Sequence, residues 1–244
     1  MNMQSIWCYT IVRNEELLMP YFIRHYGSIC SKIIVYDDDS TDCTREIVLS
    51  AGGIVRQCPW SGLDDIKSVA FATEQYKEAR NEANWVIWVD ADEFVYHPRL
   101  ADRLEELTLE GVALPKVVGF SMVAENPPSG HGQIYDEIRM GFPDKSYSKP
   151  CVFDPSLEIV WTPGKHEAYT DGSVSNLHDP LKLLHYRYMG SNWHIDRNYR
   201  NYERLDPINI ARKHGQETYP GYTGDHSPQW YEQHSQVLID CLSE

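Results

Sequence analysis

Between residues 5 and 89 the apolar positions switch between short β-like runs and longer segments of helical period, a pattern that predicts βαβ units on a mostly parallel sheet. Residues 5–12 read as the first strand. Asn14 then opens a helix whose Leu17, Leu18, Tyr21, Phe22, His25 and Ile29 fall on one face. Residues 32–36 (KIIVY) are the second strand, an acidic turn DDDSTD follows, and a helix over 44–50 is ended by Gly52 and Gly53 before a third strand at 53–57. A long helix is expected over 64–83. The run WVIWV at 85–89 is apolar throughout, as in a central strand covered on both faces, and leads directly into Asp90-Ala91-Asp92.

The second half is more mixed. A charged helix at 100–109 leads to a strand at 117–123, and the Pro/Gly-rich stretch 125–144 reads as a substrate-side loop or as disorder. Short strands are expected at 149–153, 158–161 and 181–188, then a helical region over 195–213. The tail at 216–231 is rich in Gly, Pro and aromatics, and a final helix-like piece ends at Cys241. No internal repeat or low-complexity linker is present. The class is therefore α/β.

Composition narrows the picture only slightly. A chain of 244 residues fits one domain with one active site. With 22 Lys+Arg against 36 Asp+Glu the net charge is −14, which repels phosphate backbones and anionic headgroups, so nucleic acid is not an expected partner. The six cysteines form no C-x-x-C pair and several lie inside apolar runs, which favours a reducing compartment, the cytoplasm. The start, MNMQSIWCYTIV, has no basic n-region or cleavage site and its apolar run is too short to cross a bilayer, so neither a signal nor a membrane span is expected.

Two acidic motifs carry candidate chemistry. In VDADEF, extended backbone puts Asp90 and Asp92 on one face while Ala91 and Glu93 point elsewhere. Paired carboxylates at the carboxyl end of a strand, where open α/β sheets bind ligands, suit Mg²⁺ or Mn²⁺ bridging a diphosphate. A capping or solvated acidic loop is the competing explanation. In IVYDDDSTDCT, a strand delivers Asp37 and Asp38 to its carboxyl end, where carboxylates can hold uracil and ribose groups. Helix capping explains Ser40, Thr41 and Asp42.

Together with IVRNEELLMPYFIRHY at the front, these runs resemble, in order and spacing, the family-2-like glycosyltransferases of the GT-A fold, in particular the branch with V-x-N-E, D-x-x-S-T-D and D-x-D-E-F motifs. The resemblance covers residues 5–97 and continues more loosely through YSKPCVFDP, TPGKHEA and LLHYRYMG. It implies a single GT-A domain with a Rossmann-like nucleotide-sugar half (1–97), a mixed acceptor-side half (98–190) and a C-terminal helical extension (191–244). It also implies a nucleoside-diphosphate sugar donor, a UDP-sugar first, and a glycan or glycoconjugate acceptor, in the assembly of a polysaccharide or glycan. Carried over by residue, Ile11 and Arg13 lie near the base and Asp37 and Asp38 on the nucleoside. Asp90 and Asp92 bind Mn²⁺ or Mg²⁺, with His185 as a further ligand. Lys67 and Ala91 join the donor-binding set, and Lys149, Lys165 and Arg187 are candidates to neutralise the diphosphate, a solvated charge being the alternative for each of those three.

Two departures stand out: Asp39 occupies a turn position where many relatives have Gly, and Met189-Gly190 follows the His-Tyr element where relatives often have a lysine. His166 and His185 are alternatively structural histidines, and Trp161, Trp193 and Trp230 either stack on sugars or pack in the core. The family implies transfer of a hexosyl or deoxyhexosyl group with inversion, for which a carboxylate deprotonates the acceptor; Asp136 and Glu167 are the candidates, with Glu125 in reserve. A phosphatase of haloacid-dehalogenase type also ends an apolar strand in D-x-D, but Phe94 and the three preceding strands argue against it. A non-catalytic donor- or carbohydrate-binding module is the rival outside enzymes.

Overall fold

The structure, a computed structural model, describes residues 4–243. The first half runs β1 (Ile6–Val12), α1 (Met19–Gly27), β2 (Lys32–Asp37), α2 (Thr44–Ser50), β3 (Ile54–Gln57), α3 (Asp65–Gln75), a 3-10 turn at Tyr76–Ala79, and β4 (Trp85–Trp88). Strand β1 is the hub. It pairs in parallel with β2 on one side and with β4 on the other, and β3 continues the parallel array beyond β2. Parallel pairing sends the carboxyl ends of these strands to one edge, so Arg13, Asp38 and Asp90 emerge on the same side.

The remainder comprises β5 (Glu93–Tyr96), α4 (Leu100–Leu109), β6 (Val117–Ala124), α5 (Ile134–Glu137), β7 (Met140–Pro143), β8 (Val152–Phe153), β9 (Ile159–Trp161), β10 (Ala168–Thr170), β11 (Leu181–Met189), α6 (Ser191–Tyr202), α7 (Pro207–Arg212), α8 (Pro228–His234) and β12 (Ile239–Asp240). Strand β8 closes the first sheet, order β3-β2-β1-β4-β8, and a second sheet has the order β12-β7-β6-β11-β5; β9 and β10 form a hairpin. The chain leaves the first sheet at Trp88 and enters the second at Glu93. The step from one sheet to the other therefore falls inside the D-x-D turn.

Every residue of β4 is buried, and alternation splits its four side chains between two cores. Trp85 and Ile87 pack with Phe22, Tyr26 and Leu104, beneath α1 and α4. Val86 and Trp88 join Val69, Tyr76 and Phe153 on the opposite face, where Trp88 stacks on Tyr9 at 5.1 Å and meets Trp161 at 5.9 Å. Trp161 is thus a core residue, 4% exposed, not a sugar platform.

Several boundaries differ from the sequence reading for local reasons. Helix α1 starts at Met19, not at Asn14, because Asn14 adopts a left-handed φ of 52° and its side chain accepts the Thr41 amide at 2.7 Å, tying the end of β1 to the acidic turn. Helix α3 is capped by Asp64, which accepts the Ile66 and Lys67 amides at 3.0 Å, and it yields to a 3-10 turn at Tyr76. The stretch 125–144 is ordered: Gln133 and Asp136 cap α5 reciprocally, and β7 pairs antiparallel with β6. Residues 195–213 are two helices, α6 and α7, separated before Pro207. The final piece is strand β12, paired with β7, not a helix. Among the described residues no helix is long and apolar enough to cross a membrane.

Two features of this frame give testable outcomes. A Cβ on Gly119 of β6 would lie 2.6 Å from the Asp144 carbonyl oxygen and clash with the Tyr147 backbone, so Gly119→Ala is expected to cost about 1–3 kcal/mol; an unchanged urea midpoint would show that the 144–148 turn does not need this close approach. Burial holds the His25 imidazole down to about 4 against an ordinary value of 6.5, with its Nε2 on the Val95 carbonyl at 2.9 Å. The unfolded chain takes up that proton near 6.5 and the folded chain only near 4, so stability falls as pH drops through this window, by up to about 3 kcal/mol from His25. Urea unfolding at pH 7 and pH 5 should show a smaller difference in His25→Gln than in wild type.

Candidate active site

At the carboxyl edge of the parallel strands lies a cleft of about 500 Å³. The D-x-D turn forms its floor. The Tyr186 amide donates to the Asp92 carbonyl at 2.8 Å, and β11 pairs with β5 so that His185 lies opposite Glu93. That register brings His185 Nε2 to 3.2 Å from Asp92 Oδ2. Asp90 faces Lys165 at 3.3 Å and Lys149 at 3.7 Å.

Glu93 works from beneath. Its Oε2 accepts the Asp90 amide at 3.0 Å and its Oε1 accepts from the Lys149 ammonium, with side-chain exposures of 1% for Glu93 and 5% for Lys149. Lys149 is therefore committed to a buried ion pair rather than held free for a diphosphate, although it borders the cleft. Burial alone would depress its ammonium, yet Glu93 and then Asp90 raise it above the ordinary lysine range.

The far wall comes from the C-terminal segment. Arg197 of α6 pairs with Asp92 and donates to Glu15 at 2.7 Å, and Arg204, in the break after α6, pairs with Asp38. Burial works to raise the Asp92 carboxyl, but Arg197 and His185 overcome it and hold it well below the usual carboxylate range. Burial likewise opposes Asp90, which Lys165 and Lys149 bring down to about 2. Both acids are charged at neutral pH.

Ile11, Arg13, Ala91 and Arg187 border the cleft; Arg13 donates to the Asp38 carbonyl at 2.9 Å, and Arg187 reaches Asn198 at 3.3 Å and Glu217 at 3.4 Å. Asp38 keeps a buried Oδ1 without a hydrogen-bond partner. Asp37 turns away from the cleft to Arg45 at 2.9 Å and to the Ser40 amide at 3.2 Å. Lys67 is also outside, paired with Asp64 at 3.0 Å on the exposed side of α3. Asp136 caps the Gln133 amide at 3.0 Å, and Glu167 sits exposed before β10; neither these two nor Glu125 lines the cleft. Their positions give no support to the base assignments. Trp193 packs under the Arg197 guanidinium at 5.1 Å, and Trp230 packs on Phe142 at 5.3 Å. Glu15, Glu93, Asp65, Arg197 and Arg204 belong to the site without any motif in the sequence that marks them.

Among the described residues no three His, Cys, Asp or Glu side chains stand grouped as they would around a metal ion. The donor chemistry nevertheless fits a hard divalent cation: two ionised carboxylates at the sheet edge, with an imidazole against Asp92 whose Nδ1 is buried and unpartnered.

No protein-family model matches the chain. Over 91 residues, 37% of the chain, it is 34% identical to a protein of Rickettsia typhi named as an uncharacterized glycosyltransferase, and over a stretch of the same length 33% identical to one of Rickettsia prowazekii. This chain is a relative of glycosyltransferases. The matched stretch takes in only 29% of the length of each of those glycosyltransferase relatives. Its parallel β3-β2-β1-β4 array with D-x-D beyond β4 agrees with the GT-A-type fold expected for that family. Similar solved structures include glucosyl-3-phosphoglycerate synthase from Mycobacterium tuberculosis with Mn²⁺ and UDP-glucose (22% identity, 48% of this chain and 44% of that one, TM-score 0.36). Another is S. aureus TarS residues 1–349 (14% identity, 96% of this chain and 72% of that one, TM-score 0.47).

Removing one member of the buried pair tests the floor of the site. Lys149→Met leaves Glu93 charged and unpaired and is expected to destabilise by about 3–5 kcal/mol. The Lys149→Met/Glu93→Gln double variant should recover much of that loss, and a double variant no more stable than the single one would show that the pair does not hold the turn.

Proposed function

We propose that the cleft binds a nucleoside-diphosphate sugar, a UDP-sugar first, and transfers the sugar with inversion to a hydroxyl of a glycan or glycoconjugate acceptor. The observation that carries this is the convergence, at the carboxyl edge of one parallel sheet, of Asp38 with an unpartnered buried oxygen and of the Asp90/Asp92 pair. Ile11, Arg13 and Asp38 would take the nucleoside. Lys165, Arg187, Arg197 and Arg204 supply cationic groups along the same cleft for the diphosphate.

Asp90, Asp92 and His185 are the residues that would hold Mn²⁺ or Mg²⁺, and such an ion, when bound, neutralises charge on the departing nucleoside diphosphate. Arg197 and the two lysines now neutralise those carboxylates, so donor and cation together would exchange one set of charge partners for another. The protein's part is to hold the acids ionised and in place and to keep the basic side chains on the opposite wall.

Thermal unfolding with and without Mn²⁺, across uridine, guanosine and adenosine diphosphates, tests this reading. At a hundredfold excess over Kd a bound nucleotide adds about 2.7 kcal/mol, which for a chain of this size raises Tm by roughly 5–10 °C. A rise with UDP that needs Mn²⁺ and is lost in Asp92→Asn is expected. No rise with any nucleotide would overturn the donor site, and release of phosphate from simple phosphoesters would then favour the phosphatase alternative.

A further inference from the structure

An inverting transfer needs a group that takes the acceptor's proton, and the cleft carboxylates can be sorted by what already occupies them. Asp90 and Asp92 are paired with Lys165 and Arg197, and Glu15 and Asp38 with Arg197 and Arg204. Asp64 is spent on capping α3 and on Lys67. Glu217 faces Arg187 at 3.4 Å. A carboxylate held by a guanidinium or ammonium has its lone pairs engaged, which makes it a poor acceptor for a proton arriving from a ligand in the cleft.

Asp65 is different. It lines the cleft from the first turn of α3, its amide fixed by Asn209 Oδ1 at 3.2 Å, and among the described residues neither of its carboxylate oxygens accepts a hydrogen bond. The imidazole of His214 stands beside it, with Nδ1 3.7 Å from Asp65 Oδ2 and itself buried without a hydrogen-bond partner. The side chain remains 34% exposed, open to a ligand in the cleft.

Resting on the glycosyltransferase reading above, we propose that Asp65 is the general base of the transfer, with His214 as the positioning residue that orients its carboxylate. In the step, the acceptor oxygen forms a bond to the anomeric carbon while its proton passes to Asp65 Oδ. The bond from the anomeric carbon to the diphosphate oxygen breaks, and its electron pair leaves with the nucleoside diphosphate. The electrostatics agree with the geometry. Burial raises the Asp65 carboxyl above its ordinary value against the pull of Lys165 and His214, while Glu217 and Asp90 add to the rise. Those four groups are also the ones that would shape its pH response.

The experiment measures UDP release from UDP-glucose, UDP-galactose and UDP-N-acetylglucosamine with Mn²⁺ and water as acceptor, alongside the Mn²⁺-dependent thermal shift with UDP. It compares wild type, Asp65→Asn, Asp65→Glu and His214→Gln. Asp65→Asn should lose about 10²–10⁴-fold in kcat and the acid limb of the pH profile while keeping the UDP shift. Asp65→Glu should recover at least part of the rate, and His214→Gln should move the acid limb while keeping the UDP shift. An Asp65→Asn rate within threefold of wild type, or loss of the UDP shift along with the rate, overturns the base assignment and leaves the glycosyltransferase reading standing. A wild type that neither shifts with UDP nor releases it from any of the three sugars overturns that reading and the base assignment with it.

Discussion

The D-x-D turn keeps its shape because Glu93, almost wholly buried beneath it, accepts from both the Asp90 amide and the Lys149 ammonium. Two charges out of water are tolerable only as a pair with their remaining valences filled, and here the pair also fixes main chain. The rest of the cleft follows from that anchor. Lys149 introduces β8, which closes the first sheet against β4, and Glu93 opens β5, which pairs with the strand that carries His185. One ion pair thus ties the edges of both sheets to the acid pair lying between them.

Charge across the cleft is divided by chain order. Glu15, Asp38, Asp90 and Asp92 come from residues 15–92 and their cationic partners, Lys149, Lys165, Arg197 and Arg204, from residues 149–204, while Arg187 and Glu217 pair within the later segment. For a chain of net charge −14 this is where folding brings scarce positive charge to bear. Each contact between the earlier and later segments spans about a hundred residues or more, apart from those of Lys149 and Lys165 with Asp90, so the site forms only when the long-range topology does.

The parallel sheet and the D-x-D were legible because both are local: an apolar strand buried on two faces, ended by acids two residues apart. The role of Glu93 was half legible. Alternation placed it off the cleft face, but its partner stands 56 residues away and no periodicity points there. Arg197 and Arg204 read as ordinary charges of a polar helical region, since what distinguishes them is the acid each meets across the fold. Asp136 and Glu167 were selected by the half of the chain they occupy, and the structure shows the weakness of that criterion: one is a helix cap and the other an exposed hairpin residue. Helix α5 and β7, four residues each, are too short for any period to register, so 125–144 read as loop.

The charge seam between the two halves has a consequence for inheritance and for engineering. Residues on either side of it cannot drift independently. A descendant that lost Arg197 would leave Asp92 and Glu15 without the guanidinium that bridges them, so substitutions at 15, 92 and 197 should travel together. For the same reason, a chimera joining the first hundred or so residues to the later segment of a relative keeps the charge pairing of the cleft only if the incoming segment brings basic side chains to the places of Lys149, Lys165, Arg197 and Arg204. The cleft is therefore more safely altered by changing the loops around that seam than by exchanging everything beyond it.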